Sequence, residues 1–128
     1  MSYLLDTSVL IEIENDVKAV IDTIRALPEG NFYISIFTFC EYYRGFVKKS
    51  DAVKAKVIEE LNKYILLDTS KKTGICFVEL LETLSKKGEV LPHFDVFIAA
   101  FAKTHHLTLI TRDNHFKRLE KEINVILV

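Results

Sequence analysis

The chain has 128 residues, of which 49% are hydrophobic and 27% are charged. This length fits one domain, so we predict a single domain over residues 1–128, and the scarcity of Pro and Gly argues against long disordered stretches. Because 17 Lys and Arg residues balance 18 Asp and Glu residues, the overall charge excludes a general attraction for polyanions, and any nucleic-acid contact must be local.

The apolar runs of the sequence indicate where the protein is located. A charge at Asp6 follows only a short apolar run, which is too short for the apolar stretch of a signal peptide. No window approaches the roughly 20 uninterrupted apolar residues of a membrane helix. We therefore expect no membrane contact and a cytoplasmic location.

Cys40 and Cys76 lie in apolar segments without the spacing of a metal or redox pair, so both are predicted to be buried thiols.

Short strands alternate with longer helices along the chain. The run from Tyr3 to Leu5 predicts a strand, and the apolar spacing from Ser8 to Leu27 predicts one helix that ends before a Pro-Glu-Gly-Asn turn. The remaining predicted elements, in chain order, are a strand at Phe32–Ile36, a helix at about Phe39–Val47, a helix capped by Asp51, a strand at Ile65–Leu67, a helix at Thr73–Lys87 closed by Gly88, an apolar helix at Phe94–Ala102, a strand at Leu107–Thr111, a short helix at Asn114–Lys121 and a strand at Asn124–Val128. This order predicts an α/β fold with a parallel sheet covered by helices.

Two acidic residues follow predicted strands in positions that also have structural explanations. Asp6 stands where the first strand gives way to a helix, and an Asp there can simply cap that helix. Glu41 comes three residues after Thr38, which matches the capping-box pattern. Neither residue indicates chemistry when it is considered alone.

Two further acidic residues lie later in the chain. Asp95 is the only charged residue between Phe94 and Ala102, in a helix so apolar that we expect it to be buried. A buried carboxylate costs several kcal/mol unless a cation or hydrogen-bond donors compensate it. A position as the N-cap of this helix would supply such donors and is the structural explanation for Asp95. Asp113 follows the fourth strand and precedes a helix, where an Asp can form a cap or an Asx-turn.

The joint placement of these acids is more informative than any one of them. In an open parallel sheet, ligands bind outside the carboxyl ends of the strands, and Asp6, Glu41 and Asp113 each follow such an end. Asp95 begins the helix that leads to the fourth strand. If the three strands are neighbours, the carboxylates share one crevice and cannot all stay ionised without a cation. A hard ion that prefers oxygen ligands, Mg²⁺ or Mn²⁺, would compensate them.

Four segments, in this order, match the motifs of a known family: LDTSVLI at Leu5–Ile11, SIFTFCEYYRG at Ser35–Gly45, DVFIAAFA at Asp95–Ala102, and TRD at Thr111–Asp113 with Phe116 downstream. The sequence resembles PIN-domain ribonucleases, and among them the VapC toxins of prokaryotic toxin–antitoxin pairs. The chain departs from the family pattern at Asp113, where many relatives carry Asn, and at His115, where they carry Asp.

The resemblance implies a three-layer α/β/α fold and a metal-dependent endoribonuclease. By that resemblance the four acids bind one or two divalent ions, Thr7 and Thr111 orient them, and RNA is hydrolysed to a 5′-phosphate and a 3′-hydroxyl. Arg44 and Arg112 flank two of the acids and are candidate phosphate contacts. The resemblance also implies a cognate antitoxin and a homodimer, and the many aromatic residues between Phe37 and Val47 favour an interface.

Other functions remain open at this point. A haloacid-dehalogenase-type phosphatase needs a second Asp where Ser8 stands, and a receiver domain needs an acidic pair that is absent. A catalytically silent module that binds RNA or protein, and an RNA-processing nuclease that is not a toxin, both fit the sequence.

Overall fold

The computed structural model describes all of residues 1–128 as one α/β domain. Six α-helices and one 3₁₀ helix surround a central sheet, which has the five strands that the sequence predicts. The strands are β1 (Ser2–Leu5), β2 (Asn31–Ser35), β3 (Ile65–Leu67), β4 (Thr108–Thr111) and β5 (Val125–Leu127). The helices are α1 (Thr7–Glu14), α2 (Lys18–Arg25), α3 (Ile36–Arg44), α4 (Asp51–Leu61), α5 (Lys71–Lys86), α6 (His93–Thr104) and the 3₁₀ helix Asn114–Leu119.

The sheet is parallel throughout, with the strand order β3-β2-β1-β4-β5. The central strand β1 is buried on both faces, because its successive side chains enter two different cores. Leu4 packs with α5, α6 and the 3₁₀ helix on one face. Tyr3 and Leu5 pack with α1, α2 and α4 on the other. The predicted three-layer α/β/α architecture is confirmed, and no helix is both long and apolar enough to cross a membrane.

The single helix predicted from Ser8 to Leu27 is wrong. The chain forms two helices there, because Asp16 adopts a left-handed conformation with φ of 57°. The Val17 N–H then donates to the Glu12 carbonyl at 2.9 Å, and the Asp16 N–H donates to the Ile13 carbonyl at 3.1 Å. These two bonds form a Schellman motif that ends α1. Apolar periodicity continues across the break, which is why the sequence pattern concealed it.

The predicted starts of α3 and α4 also shift. Ser35 caps α3, since its hydroxyl accepts the Thr38 N–H at 3.1 Å, so α3 begins three residues before the predicted Phe39. Ser50, rather than Asp51, caps α4. In both cases a serine competes with a nearby capping candidate, and the residue whose backbone is extended becomes the cap.

The cysteine prediction is wrong for Cys40, which is exposed on α3, while Cys76 is only half-buried. By contrast, Gly88 closes α5 as predicted. It has φ of 69°, and the Glu89 N–H donates to the Leu84 carbonyl at 2.9 Å, which completes a second Schellman motif.

Candidate active site

The strand order brings three of the acids to one edge of the sheet. Strands β2, β1 and β4 are neighbours, as the sequence argument required, so their carboxyl ends meet. Asp6 follows the last residue of β1 directly, and Asp113 lies two residues beyond β4. Glu41 lies farther from its strand than expected, in the second turn of α3 rather than the first.

Asp6 is the most buried of the four acids, with 7% of its surface exposed. It caps α1 and accepts the Thr7 N–H at 2.8 Å, so the capping role expected for an Asp here is present. Its Oδ2 also accepts the Thr111 hydroxyl at 2.7 Å. Burial raises the pKa of Asp6 above its usual value, although both hydrogen bonds oppose the shift, and the charges of Glu41 and Asp113 raise it further.

Thr111 joins Asp6 to the segment that carries Asp113. Besides donating to Asp6, its fully buried hydroxyl accepts the Asp113 N–H at 3.0 Å. The Asp113 carboxylate caps the 3₁₀ helix by accepting the His115 N–H at 2.8 Å. The His115 Nδ1 lies 3.0 Å from the same carboxylate oxygen. The sequence argument did not assign His115 to the site, and only its departure from the family pattern could have indicated it.

Glu41 has no capping role, so the capping-box interpretation is wrong. The cap of α3 is Ser35, which places Thr38 in the first turn and leaves the carboxylate of Glu41 free of the helix end. That carboxylate accepts the Thr7 hydroxyl at 2.7 Å. The Thr7 hydroxyl also lies 3.2 Å from the hydroxyl of the buried Thr38, a contact that the sequence did not reveal.

Asp95 lies in the first turn of α6, where Pro92 is the N-cap residue. Asp95 is therefore not the cap, and its carboxylate accepts no hydrogen bond within the chain. Burial raises the pKa of Asp95 to about 6, and the charges of Asp6, Asp113 and Glu41 add to the rise. The structure thus leaves this half-buried carboxylate without the compensating partner that its apolar helix requires.

The four acids line one open cleft of about 720 Å³. Arg112 lies on the rim, where its guanidinium binds both carboxylate oxygens of Glu12 on α1. Arg44 is in the last turn of α3 and does not line the cleft. The complete lining consists of Asp6, Thr7, Ser8, Ile11, Glu41, Asp95, Arg112, Asp113, Asn114 and His115.

The cleft suits a hard divalent cation. Its acidic side chains offer carboxylate oxygens, and the negative charges of Asp6 and Asp95 are disfavoured where they stand. No three acidic, His or Cys side chains converge closely enough to hold an ion by themselves. Mg²⁺ is usually bound through one or two carboxylates, with water and substrate phosphate completing its octahedron. The residues present therefore fit such an ion, with part of its shell left for substrate.

The PIN domain family matches residues 3–122, which is nearly the whole chain, and this protein belongs to that family. The chain is similar to Ribonuclease VapC2 of Haemophilus influenzae, with 29% identity over 126 residues that cover 96% of this chain and 93% of the relative. It is also similar to Ribonuclease VapC2 of Rickettsia felis, with 28% identity over 131 residues that cover 99% of this chain and 96% of the relative.

Solved structures agree with the fold. The crystal structure of VapBC2 from Rickettsia felis, bound to a DNA fragment from their promoter, superposes with a TM-score of 0.82 and 22% identity, covering 100% of this chain and 99% of that chain. VapBC-1 from nontypeable Haemophilus influenzae superposes with a TM-score of 0.81 and 23% identity, covering 99% of this chain and 98% of that chain. The resemblance to VapC-type PIN domains that the sequence motifs indicated is confirmed.

Proposed function

We propose that this protein is an endoribonuclease that depends on Mg²⁺ or Mn²⁺ and that Asp6, Glu41, Asp95 and Asp113 form its metal and catalytic site. The observation that carries the proposal is the set of four mutually repelling carboxylates in one cleft at the carboxyl edge of the sheet, with Asp6 buried and Asp95 half-buried. The relatives named Ribonuclease VapC supply the substrate class.

The site residues would have distinct tasks in hydrolysing an RNA phosphodiester to a 5′-phosphate and a 3′-hydroxyl. A bound divalent ion would lower the pKa of the attacking water and stabilise charge on the leaving oxygen. Asp6 and Asp95 would be its principal ligands, since their charges most need compensation. Thr7 holds Glu41 and Thr111 holds Asp6, so the ligand carboxylates keep their orientation without a rearrangement.

Arg112 is the better of the two candidate phosphate contacts. It lines the cleft, and Glu12 fixes its guanidinium there while leaving part of the side chain exposed. An Arg fork can bind a phosphate bidentately. Arg44 also remains a proposed contact, but it lies outside the cleft lining and would meet RNA only beyond the scissile phosphate.

We propose that the protein is the toxin of a toxin–antitoxin pair, with a cognate antitoxin as its protein partner. The support is that similar solved structures are toxin–antitoxin assemblies, including a Toxin-antitoxin complex from Klebsiella pneumoniae with a TM-score of 0.77. A small gene for a DNA-binding antitoxin beside the gene of this protein would support this role over that of an RNA-processing nuclease.

A homodimer is also proposed. The aromatic side chains of α3 are all only half-buried: Phe37 packs against three phenylalanines of α6, and Phe39 stacks on Tyr43 at 6.0 Å. Phe94 of α6, which stacks on Phe37, is 50% exposed, and Val78 of α5, the helix that packs against α6, is 60% exposed. Exposed apolar side chains of this kind are typical of an interaction surface. Light scattering at high concentration tests this, because a strict monomer contradicts the homodimer.

Replacing Asp6 or Asp95 with Asn tests the catalytic proposal. Each substitution should lower RNA cleavage in the presence of Mg²⁺ by about 100-fold or more, the loss that follows removal of one transition-state stabilising group. The fold should persist, because Asn has nearly the same shape, and at Asp6 the removal of a charge that burial disfavours offsets the one hydrogen bond that the amide NH₂ cannot accept. Cleavage of a labelled RNA, followed on a denaturing gel, measures the loss, and circular dichroism checks the fold.

Asp68→Asn is the matched control for this experiment. Asp68 also follows a strand end, and its Oδ1 accepts the next N–H, that of Thr69, at 2.7 Å, as Asp6 does with Thr7. It is exposed and does not line the cleft, so cleavage should be unchanged. Full activity in Asp6→Asn or Asp95→Asn would refute the assigned site, and a wild-type protein that binds RNA but never cleaves it would indicate a silent module.

A further inference from the structure

Two segments beside the acidic cleft carry an excess of positive charge. Residues 86–94 and 114–119 together contain three lysines and one arginine against a single acid, Glu89. Glu89 is half-buried, and its Oε2 is shielded from solvent. Because the whole chain has a net charge of −1, binding of a polyanion would require a local excess of positive charge such as this one.

The charges of Lys87 and Arg118 are exposed and are not neutralised by carboxylates. The Arg118 guanidinium donates to the Val90 carbonyl at 2.9 Å. The Lys87 ammonium donates to the Arg118 carbonyl at 3.2 Å. Neither side chain forms a salt bridge, unlike Arg112, whose charge is paired with Glu12. Both side chains are therefore positioned by the backbone while their positive charges remain available to an anion.

The position of these two residues links them to the cleft. Arg118 is on the 3₁₀ helix that begins directly after Asp113, and residues i and i+3 of a 3₁₀ helix share one side. Arg118 therefore lies on the same side as His115, which lines the cleft, about 6 Å farther along the helix axis. Val90, its carbonyl partner, is in the short loop that leads to α6 and Asp95.

We propose that Lys87 and Arg118 form a phosphate-binding strip beside the cleft, which binds the backbone of the RNA strand next to the phosphate that is cut. The strip rests on the proposed function, because it extends the path of the same substrate. It takes single-stranded RNA without base preference, since neither side chain is placed against an aromatic stacking partner that could read a base. Lys86 of the last turn of α5 adds to the same field.

A structural role for the two side chains must be distinguished from this. Basic residues at the C-terminal end of α5 can stabilise that helix by a favourable interaction with its dipole. The hydrogen bonds from Arg118 to the Val90 carbonyl and from Lys87 to the Arg118 carbonyl also join the end of α5 and the following loop to the 3₁₀ helix. Such a role depends on these hydrogen bonds and would change stability. Phosphate binding depends on charge and would change the salt dependence of RNA affinity.

The experiment compares RNA binding by two double variants, each in an Asp6→Asn background so that the RNA is not consumed. Lys87→Ala with Arg118→Ala removes the strip. Lys72→Ala with Lys121→Ala removes the same charge near the far end of α6, which lies about 14 Å from Asp95 along that helix. Fluorescence anisotropy of a labelled single-stranded RNA gives Kd over a series of salt concentrations.

Loss of two phosphate contacts should weaken binding about tenfold at moderate salt and reduce the slope of log K against log salt by about 1.4. The Lys72 and Lys121 variant should bind like the background protein. Lys87→Arg with Arg118→Lys, which keeps both charges, should restore the slope. These results together support the strip.

Equal losses in both double variants would overturn the proposal, since only net charge would matter. An unchanged salt slope in the Lys87 and Arg118 variant would also overturn it. If that variant kept its RNA affinity but lost binding to the antitoxin, the two residues would belong to a protein-binding surface instead. The Asp6→Asn background separates this result from the proposed function: a wild-type protein without RNA cleavage refutes the nuclease, while the titration still decides whether the strip binds RNA.

Discussion

Thr111 is an uncharged residue that connects two of the acids of the cleft. Its one hydroxyl donates to the Asp6 carboxylate and accepts the Asp113 N–H, so both of its hydrogen-bonding functions are used within a fully buried side chain. A hydrogen bond to a charged group contributes about 1.5–3 kcal/mol. The bond also favours the ionised form of Asp6, which is the form that binds a metal.

Thr111→Val should therefore weaken Mg²⁺ binding by about 10–100-fold, the usual effect of losing a group that orients a metal ligand. It should also lower the free energy of unfolding by about 1–3 kcal/mol, because the Asp6 carboxylate and the Asp113 N–H lose a partner. Calorimetric titration with Mg²⁺ and urea denaturation measure the two effects.

Thr108→Val provides the comparison on the same strand. Thr108 lies at the other end of β4, half-buried, and its hydroxyl makes no hydrogen bond within the chain. This substitution should leave Mg²⁺ affinity unchanged. Equal Mg²⁺ affinity in both variants would show that Thr111 does not orient a metal ligand.

At the scale of elements, the short loop between α5 and α6 positions both the Asp95 end of α6 and the Val90 carbonyl that holds Arg118. The loop begins at Gly88, whose φ of 69° is a conformation that side-chain-bearing residues adopt with strain. The helix α5 contains a second glycine, Gly74, around which a Cβ atom would meet nothing within 4 Å. The two glycines therefore offer opposite tests of the same substitution.

Gly88→Ala should lower the free energy of unfolding by about 1–2 kcal/mol, because it places a Cβ in the left-handed region. Gly74→Ala should raise it by up to about 1 kcal/mol, because Ala is the better residue inside a helix. Urea denaturation of the two variants beside the wild type measures both signs. A Gly88→Ala variant that is as stable as Gly74→Ala would contradict the Schellman geometry at the end of α5.

At the scale of the whole molecule, the carboxylate cluster should link the stability of the fold to pH and, through the proposed metal site, to divalent ions. The pKa of Asp95, about 6, is raised above its ordinary value of 3.8, and the pKa of Asp6 is raised as well. The metal-free folded protein therefore binds more protons than the unfolded chain between about pH 4 and 6. The contribution of Asp95 to the free energy of unfolding is therefore fully present below pH 4, where the carboxyl is protonated in both states. It is lost as the pH rises through 6, because the folded protein must then hold a disfavoured charge.

A divalent cation should reverse this loss, because it binds the ionised carboxylates of the folded state only. We expect Mg²⁺ to raise Tm by several degrees at pH 7 and to have little effect near pH 4.5, where Asp95 is protonated. Thermal unfolding with Mg²⁺ and with a chelator, over a pH series, measures the difference. A Tm increase that is the same at both pH values, or that persists in Asp95→Asn, would show that the ion binds elsewhere.

The sequence by itself determined the alternation of strands and helices, the parallel sheet and the four acids as a candidate set, because these depend on local apolar periodicity and on motif order. It also placed Gly88 correctly, since a glycine after the last periodic residue of a helix is a local signal. It failed at Asp16, because the apolar periodicity continues across the break there, and at Ser35, because Thr38 offered a second capping candidate nearby.

Only the tertiary structure decided how the acids meet. The order of strands β2, β1 and β4 is a property of long-range pairing, and the contacts of Thr7 with Glu41 and of Thr111 with Asp6 join residues 34 and 105 positions apart. The pairing of Arg112 with Glu12 and the unpaired charge of Arg118 likewise depend on neighbours distant in sequence. The burial of a side chain and the compensation of its charge depend on all the residues around it in the folded protein. A local sequence pattern does not specify those residues.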